Sequence, residues 1–113
     1  MKSDNHPCIE YVTFKLKKGT NIEDFRKCSD ELDTKFLVNE DGFLLRKLLL
    51  LHDGETWADL ALWRDTAAAN AAEAKFMKDP VTRAYGDLID MDTLRMEHSN
   101  QISHFEKLRP IAN

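Results

Sequence analysis

The sequence predicts an α+β fold of ferredoxin-like βαββαβ order, and three features carry that expectation. Residues 44–51 and 57–63 are apolar runs of strand length, separated only by His52-Asp53-Gly54-Glu55-Thr56. So short a connection joins antiparallel neighbours, because a parallel crossover needs about a dozen residues or more. A helical periodicity precedes this pair. An alanine-rich helical stretch follows it, with one more alternating strand behind.

Taken in order, residues 9–16 alternate, with Val12, Phe14 and Leu16 on one face and Tyr11 and Thr13 on the other. That is the period of a half-buried strand, and Lys17-Lys18-Gly19 ends it. Thr20 with Glu23 three residues on has the form of a capping box, in which the threonine oxygen accepts a backbone N–H while the glutamate reaches back. Ile22, Phe25, Ser29, Leu32 and Phe36 then recur at threes and fours, predicting a helix to about residue 37. Its other face, with Arg26, Lys27, Asp30, Glu31 and Asp33, meets water. Asn39-Glu40-Asp41-Gly42 breaks it.

The second strand, over residues 43–52, is apolar on both faces except at Arg46 and Lys47. The third, over 56–64, sets Trp57, Asp59, Ala61 and Trp63 against Ala58, Leu60, Leu62 and Arg64. Asp65 or Thr66 caps a helix containing residues 67–77, whose alanines favour helix and permit close packing. Asp79-Pro80 opens another helix, an aspartate N-cap followed by proline at the first helical position. Val81, Ala84, Tyr85 and Leu88 form its expected buried stripe, and residues 90–92 its end. A last strand over 93–98 carries Leu94, Met96 and His98 on one face.

A length of 113 residues sets a single domain. We place it at residues 9–98, with a flexible N-terminal tail at 1–8 and a C-terminal tail at 99–113 whose Ile102 and Phe105 can dock on a partner subunit. Hydrophobic residues are 42% and charged residues 32%, the balance of a globular chain. The net charge of −4 gives no reason to bind nucleic acid. The start of the chain has no apolar segment of a signal peptide, and no stretch approaches the ~20 apolar residues of a membrane span. The expected location is cytoplasmic, with Cys8 and Cys28 as free thiols. No cofactor is expected, since the four glycines are dispersed and form no phosphate-binding loop. No metal is expected either: His98 and His104 are isolated along the chain.

Self-association follows from the second strand. Either parity leaves leucines outside the helical cover: Leu44, Leu48 and Leu50, or Leu45, Leu49 and Leu51. A face of that kind exceeds the few hundred Å² of apolar patch that monomers usually tolerate. Pairing two sheets in a C2 homodimer hides it.

Five residues are candidates for a site. Trp63 could stack on a planar ligand or serve as a core aromatic. Arg64 could hold an anionic or enolate group, or form an ion pair at a strand end. Its parity is opposite to that of Trp63, so both enter one cavity only across a bulge. Arg46 interrupts an apolar strand, and a buried guanidinium needs a partner; Asp59 or a bound carboxylate would serve. His98 could act as a base near neutral pH. The Tyr85 hydroxyl could donate to a ligand oxygen.

The stretch Trp57-Ala-Asp-Leu-Ala-Leu-Trp63-Arg-Asp, followed by the alanine-rich helix and Lys78-Asp79-Pro80-Val81, resembles the dimeric α/β-barrel superfamily. Within it the chain is most similar to the antibiotic biosynthesis monooxygenase-like proteins, over roughly residues 9–98. The resemblance implies sheets paired into a barrel across a dimer and a cleft in each monomer between helices and sheet. Some members oxidise aromatic polyketides without a cofactor, some degrade haem, and many have no known activity. The haem-degrading branch uses an asparagine on the first strand, a tryptophan in the helix after the third strand and a histidine in the next helical turn. Here those positions hold Val12, Lys75 and Tyr85, so the expected iron ligand is missing.

Three functions follow as expectations. The first is a dimer binding a small apolar or aromatic molecule in its cleft, and the second a cofactor-independent monooxygenase-like enzyme acting on an aromatic or enolisable substrate. The third is a structural or regulatory dimer with closed clefts. A cavity of ~300 Å³ or more favours the first two over the third.

Overall fold

The computed structural model describes residues 6–108. Positions 1–5 and 109–113, which belong to the two expected tails, lie outside the described residues. Four strands, β1 (Cys8–Leu16), β2 (Phe43–Leu50), β3 (Thr56–Trp63) and β4 (Ile89–Asn100), form one antiparallel sheet in the order β2-β3-β1-β4. Helices α1 (Ile22–Glu31), α2 (Thr66–Phe76) and α3 (Pro80–Gly86) supply the connections of the βαββαβ order. The fold is α+β with ferredoxin-like topology.

Register decides which side chains meet the helices. Phe14 pairs with Trp57, Val12 with Asp59 and Met96, and Glu10 with Ala61 and His98. Since side chains alternate along a strand, all of these share one face. Arg46 opposite Ala61 and Leu48 opposite Asp59 join that face, leaving Leu45, Lys47 and Leu49 on the other. The ambiguous parity of the second strand is thereby resolved.

The core forms where α1 and α3 press on the sheet. The Phe25 ring lies 4.9 Å from Trp57, 5.3 Å from Tyr85 and 6.0 Å from Phe14, centroid to centroid. Such contacts add about 0.5–1.5 kcal/mol each beyond area burial. They fix Tyr85 against the sheet and so position one wall of the site.

Five local expectations are corrected. The N-cap of α1 is Asn21, whose Oδ1 accepts from the Asp24 N–H at 3.1 Å. Thr20 instead donates its hydroxyl to the Lys17 carbonyl and closes the preceding turn. The helix does not run straight to residue 37. A π-helical turn, Leu32–Phe36, and a 3-10 turn, Leu37–Asn39, follow α1 and keep Leu32, Phe36 and Leu37 all buried. In α3 the buried place expected for Ala84 belongs to Thr82, whose hydroxyl contacts the Phe76 and Asp79 carbonyls. Finally, β4 begins at Ile89 and takes in residues 90–92, because Ile89 and Asp90 pair with Leu16 and Lys15 beyond a bulge in β4 that lies between Asp90 and Arg95. At the other end of the sheet Cys8 is buried and paired with Trp63, inside the stretch expected to be a loose tail.

Among the described residues no helix is long and apolar enough to cross a membrane. Ile102, Phe105 and Leu108, beyond β4, are exposed on the single chain.

Candidate functional site: a cleft between sheet and helices

A cavity of about 430 Å³ opens between the helices and the covered face of the sheet. Most of its wall is apolar, including Val12, Phe36, Ala72, Phe76, Leu94 and Met96. It owes its room to α2, whose alanines carry no bulk toward β1 and β3 while Ala68, Ala69 and Ala72 are buried. The Asp65 side chain caps this helix through the Ala68 N–H at 2.9 Å.

One part of the wall is a closed polar network around Arg46. Its Nε and Nη2 donate to the two oxygens of Asp59, both at 2.9 Å. Nη1 donates to Asp33 Oδ1 and Ser29 Oγ at 2.8 Å, and Nη2 also to the Tyr85 hydroxyl at 3.1 Å. Tyr85 in turn donates to Asp59 Oδ2 at 2.8 Å. The five guanidinium N–H groups therefore all have acceptors. Burial works against the charge on Arg46, but the Asp59 and Asp33 carboxylates outweigh it and its pKa is raised. Burial, with the adjacent Asp59, likewise raises that of Tyr85 and keeps the phenol protonated.

A second group lies at the cavity edge, where three elements meet. Glu10 from β1 and Glu73 from α2 are on the wall. His98 from β4 places its Nε2 2.5 Å from Glu73 Oε2 and 3.5 Å from Glu10 Oε2. Burial pushes the Glu10 carboxyl up to about 9, helped by the hydrogen bond and charge of Glu73 and by the charge of Asp59. The Trp63 indole N–H lies close enough to act the other way on Glu10. It makes no hydrogen bond of ordinary geometry, however, and is buried without a partner.

The expected site residues thus separate. Arg46 and Tyr85 are together in the network, with their polar groups already engaged. Trp63 is on the cavity wall, 1% exposed, its ring edge-on to Phe43. His98 stands at the rim. Arg64 stays outside the cavity and pairs with Asp41 and Asp65 instead, as its opposite parity requires.

Sequence reasoning missed Glu10 and Glu73. Both had a signal: Glu10 shares strand parity with Val12 and Phe14, and Glu73 is the single charged residue among positions 66–74. Glu10, Glu73 and His98 offer ligand atoms all within 4.8 Å of one another, a convergence made by the fold and invisible in spacing.

No family model and no curated protein matches the sequence. Solved structures do match the fold. SnoaB from Streptomyces nogalater, a cofactor-independent oxygenase solved in a mutant form, aligns with a TM-score of 0.72 at 17% identity, over 90% of this chain and 99% of that one. A proposed antibiotic biosynthesis monooxygenase from Caulobacter crescentus aligns with a TM-score of 0.72 at 17% identity, over 88% and 92% of the two chains. Rv0793 from Mycobacterium tuberculosis aligns with a TM-score of 0.66 at 16% identity, over 88% and 99%. At this level of identity the likeness is one of fold: the chain folds as SnoaB, the Caulobacter crescentus protein and Rv0793 do.

Proposed function

We propose that this chain forms a homodimer through its open sheet faces, and that each cavity binds a small, planar, enolisable aromatic molecule for oxygenation by dioxygen. The observation that carries the reading is the Trp63 indole N–H, buried and unpartnered on the wall of a largely apolar cavity. A buried donor left unsatisfied costs about 1–3 kcal/mol. A ligand oxygen placed against it recovers that energy and orients an aromatic skeleton among Phe36, Phe76 and the aliphatic wall. The hydrogen bond strengthens as the ligand oxygen gains enolate charge, so it favours the reactive form. Arg46, Asp59 and Tyr85 hold one another and act as a rigid wall rather than as donors to the ligand.

The chemistry suited to such a cleft converts a methylene made acidic by a conjugated carbonyl, beside it or across an aromatic ring, into a ketone. Loss of a carbon-bound proton gives the enolate, which transfers an electron to dioxygen. Recombination forms a C–O bond, and the resulting hydroperoxide loses water. In sum, one methylene group and one dioxygen give one ketone carbonyl and one water, with one oxygen atom in each product. SnoaB, similar in fold, is a cofactor-independent oxygenase, which supports this reaction class. The cavity volume speaks against a purely structural dimer with closed clefts.

Pairing is supported by the uncovered face. Ile9, Tyr11, Leu45, Leu49, Leu60 and Leu62 lie there by register, opposite to the helices. A second copy hides them, and Ile102 and Phe105 can extend the contact.

Anthrone, an enolisable tricyclic ketone, is a suitable probe. We expect it to raise the melting temperature of the protein and to be consumed with one dioxygen per molecule, faster than in buffer alone. Trp63→Phe is expected to abolish the thermal shift. No shift and no uptake above the buffer rate would overturn the reading of the cleft. A monomer by light scattering at micromolar concentration would overturn the dimer.

A further inference from the structure

We infer that Glu10, Glu73 and His98 form a binding site for a divalent transition-metal ion at the edge of the cavity, with an open coordination position facing the ligand. The three side chains come from β1, α2 and β4 and converge with all ligand atoms within 4.8 Å. An ion held at about 2.0–2.2 Å by carboxylate oxygen and imidazole nitrogen places its ligands roughly 3–3.5 Å apart. His98 Nε2 and Glu10 Oε2 already stand at 3.5 Å. The 2.5 Å contact of Nε2 with Glu73 has to widen, which a torsion of the long Glu73 side chain on α2 allows.

Charge and donor chemistry agree with this geometry. Once the ion takes the place of the Glu10 proton, two carboxylates and one imidazole supply two negative charges around a single point, which a divalent cation neutralises. The donors are oxygen and nitrogen without thiolate, a set suited to Zn²⁺, Mn²⁺ or Fe²⁺ and not to Cu⁺. Cys8 and Cys28 are not part of the group.

The second observation is independent of the cluster. The Trp63 N–H lies beside Glu10, buried and without a hydrogen-bond partner. A metal site commonly has such a donor behind its ligands, directed at a ligating carboxylate or at an oxygen bound to the ion. Three protein ligands leave a fourth position for water or a substrate oxygen, the pattern of catalytic rather than structural sites. Glu10 and Glu73 are on the cavity wall, so that position is open to an enolate, phenolate or carboxylate oxygen of a bound molecule. The oxygen ligand rests on the proposed use of the cavity; the metal binding does not. Such an ion would also set this chain apart from SnoaB, a cofactor-independent oxygenase.

The test uses the full chain after treatment with a chelator. Co²⁺ is added with visible absorption as the readout, and Zn²⁺ in parallel by calorimetry. We expect one ion per chain and a Co²⁺ d–d band of low-coordinate form. His98→Ala and Glu73→Gln should each weaken binding by about tenfold to a hundredfold or more. Both positions are partly exposed, so the variants should fold, which circular dichroism checks. Trp63→Phe should alter the Co²⁺ band while one ion per chain still binds. A combined His6→Ala, His52→Ala and His104→Ala variant should bind as the parent does. Absence of binding, or affinity unchanged in both His98→Ala and Glu73→Gln, would overturn the inference. Ion binding that depends on His98 without any effect of anthrone would sustain the metal site and sink the proposed use of the cavity. Anthrone oxidation that is indifferent to chelation and to His98→Ala would sustain the use of the cavity and sink the substrate-oxygen ligand on the ion.

Discussion

Replacing Arg46 by methionine probes the polar wall of the cleft directly. The Arg46 side chain is 4% exposed and that of Asp59 15%, so the substitution strands a carboxylate that water barely reaches. Removing one partner of a buried ion pair typically costs about 3–5 kcal/mol, because an uncompensated charge is left behind. The Tyr85 hydroxyl loses a donor as well, but keeps Asp59 as acceptor. Asp33 contributes little to this cost, since its side chain is 46% exposed and solvent screens the pair to below about 1 kcal/mol. We therefore expect Arg46→Met to lose about 3–5 kcal/mol and Asp33→Asn less than about 1 kcal/mol. Urea unfolding followed by tryptophan fluorescence measures both, at one fixed chain concentration because association adds to apparent stability. The triple replacement Arg46→Met, Asp59→Leu, Tyr85→Phe removes every charge and hydroxyl of the core of the network. It should lie within about 2 kcal/mol of the parent, as buried pairs replaced whole by apolar groups often do. A loss below about 1 kcal/mol for Arg46→Met, or a triple variant as unstable as the single one, would refute this reasoning.

Other perturbations separate the remaining contributions. Phe25→Ala should cost about 3–5 kcal/mol by chemical denaturation, since the ring is fully buried among Phe14, Trp57 and Tyr85. Gly42→Ala should cost clearly more than Gly54→Ala. Both have φ near +80°, but an added Cβ at Gly42 meets Ala68 Cβ at 2.6 Å, whereas at Gly54 nothing lies within 4 Å. Asp53 accepts the Thr56 hydroxyl and the Thr56 and Glu55 N–H groups, which lower its pKa to about 2. Its stabilisation is present above the ordinary carboxylate pKa of 3.8 and fades as pH falls through about 2. Acid titration of thermal stability should accordingly show a smaller decline over that window in Asp53→Asn. Leu49→Lys, placed on the open sheet face opposite Ala58, should shift the chain toward monomer by light scattering and leave the cavity intact.

Most of the fold was legible because its elements are local and periodic. The strand pair flanking Asp53-Gly54, the Asp65 and Asp79 caps and the stripe of Phe25, Ser29, Leu32 and Phe36 are all written within short windows. Boundaries failed where tertiary pairing prevailed over local preference. Residues 90–92 look like a polar stop, yet Ile89 and Asp90 are drawn into β4 by Leu16 and Lys15. Arg46 with Asp59 was readable, since a guanidinium inside an apolar strand demands a carboxylate from its neighbour. The addition of Asp33, Ser29 and Tyr85 was not, because it depends on how α1 and α3 approach the sheet. The edge cluster was hidden for the same reason. Glu10, Glu73 and His98 stand far apart in the chain, and only the β1–β4 register with the placement of α2 brings them together.

Whether the cavity receives a ligand against Trp63 decides the proposed function. The chain has two tryptophans, and Trp57 is not on the cavity wall, so its indole serves as an internal reference. In a ¹H–¹⁵N spectrum of the labelled protein titrated with anthrone, the Trp63 indole resonance should move downfield and saturate while that of Trp57 stays in place. An unmoved Trp63 resonance, or equal displacement of both, would contradict the central claim.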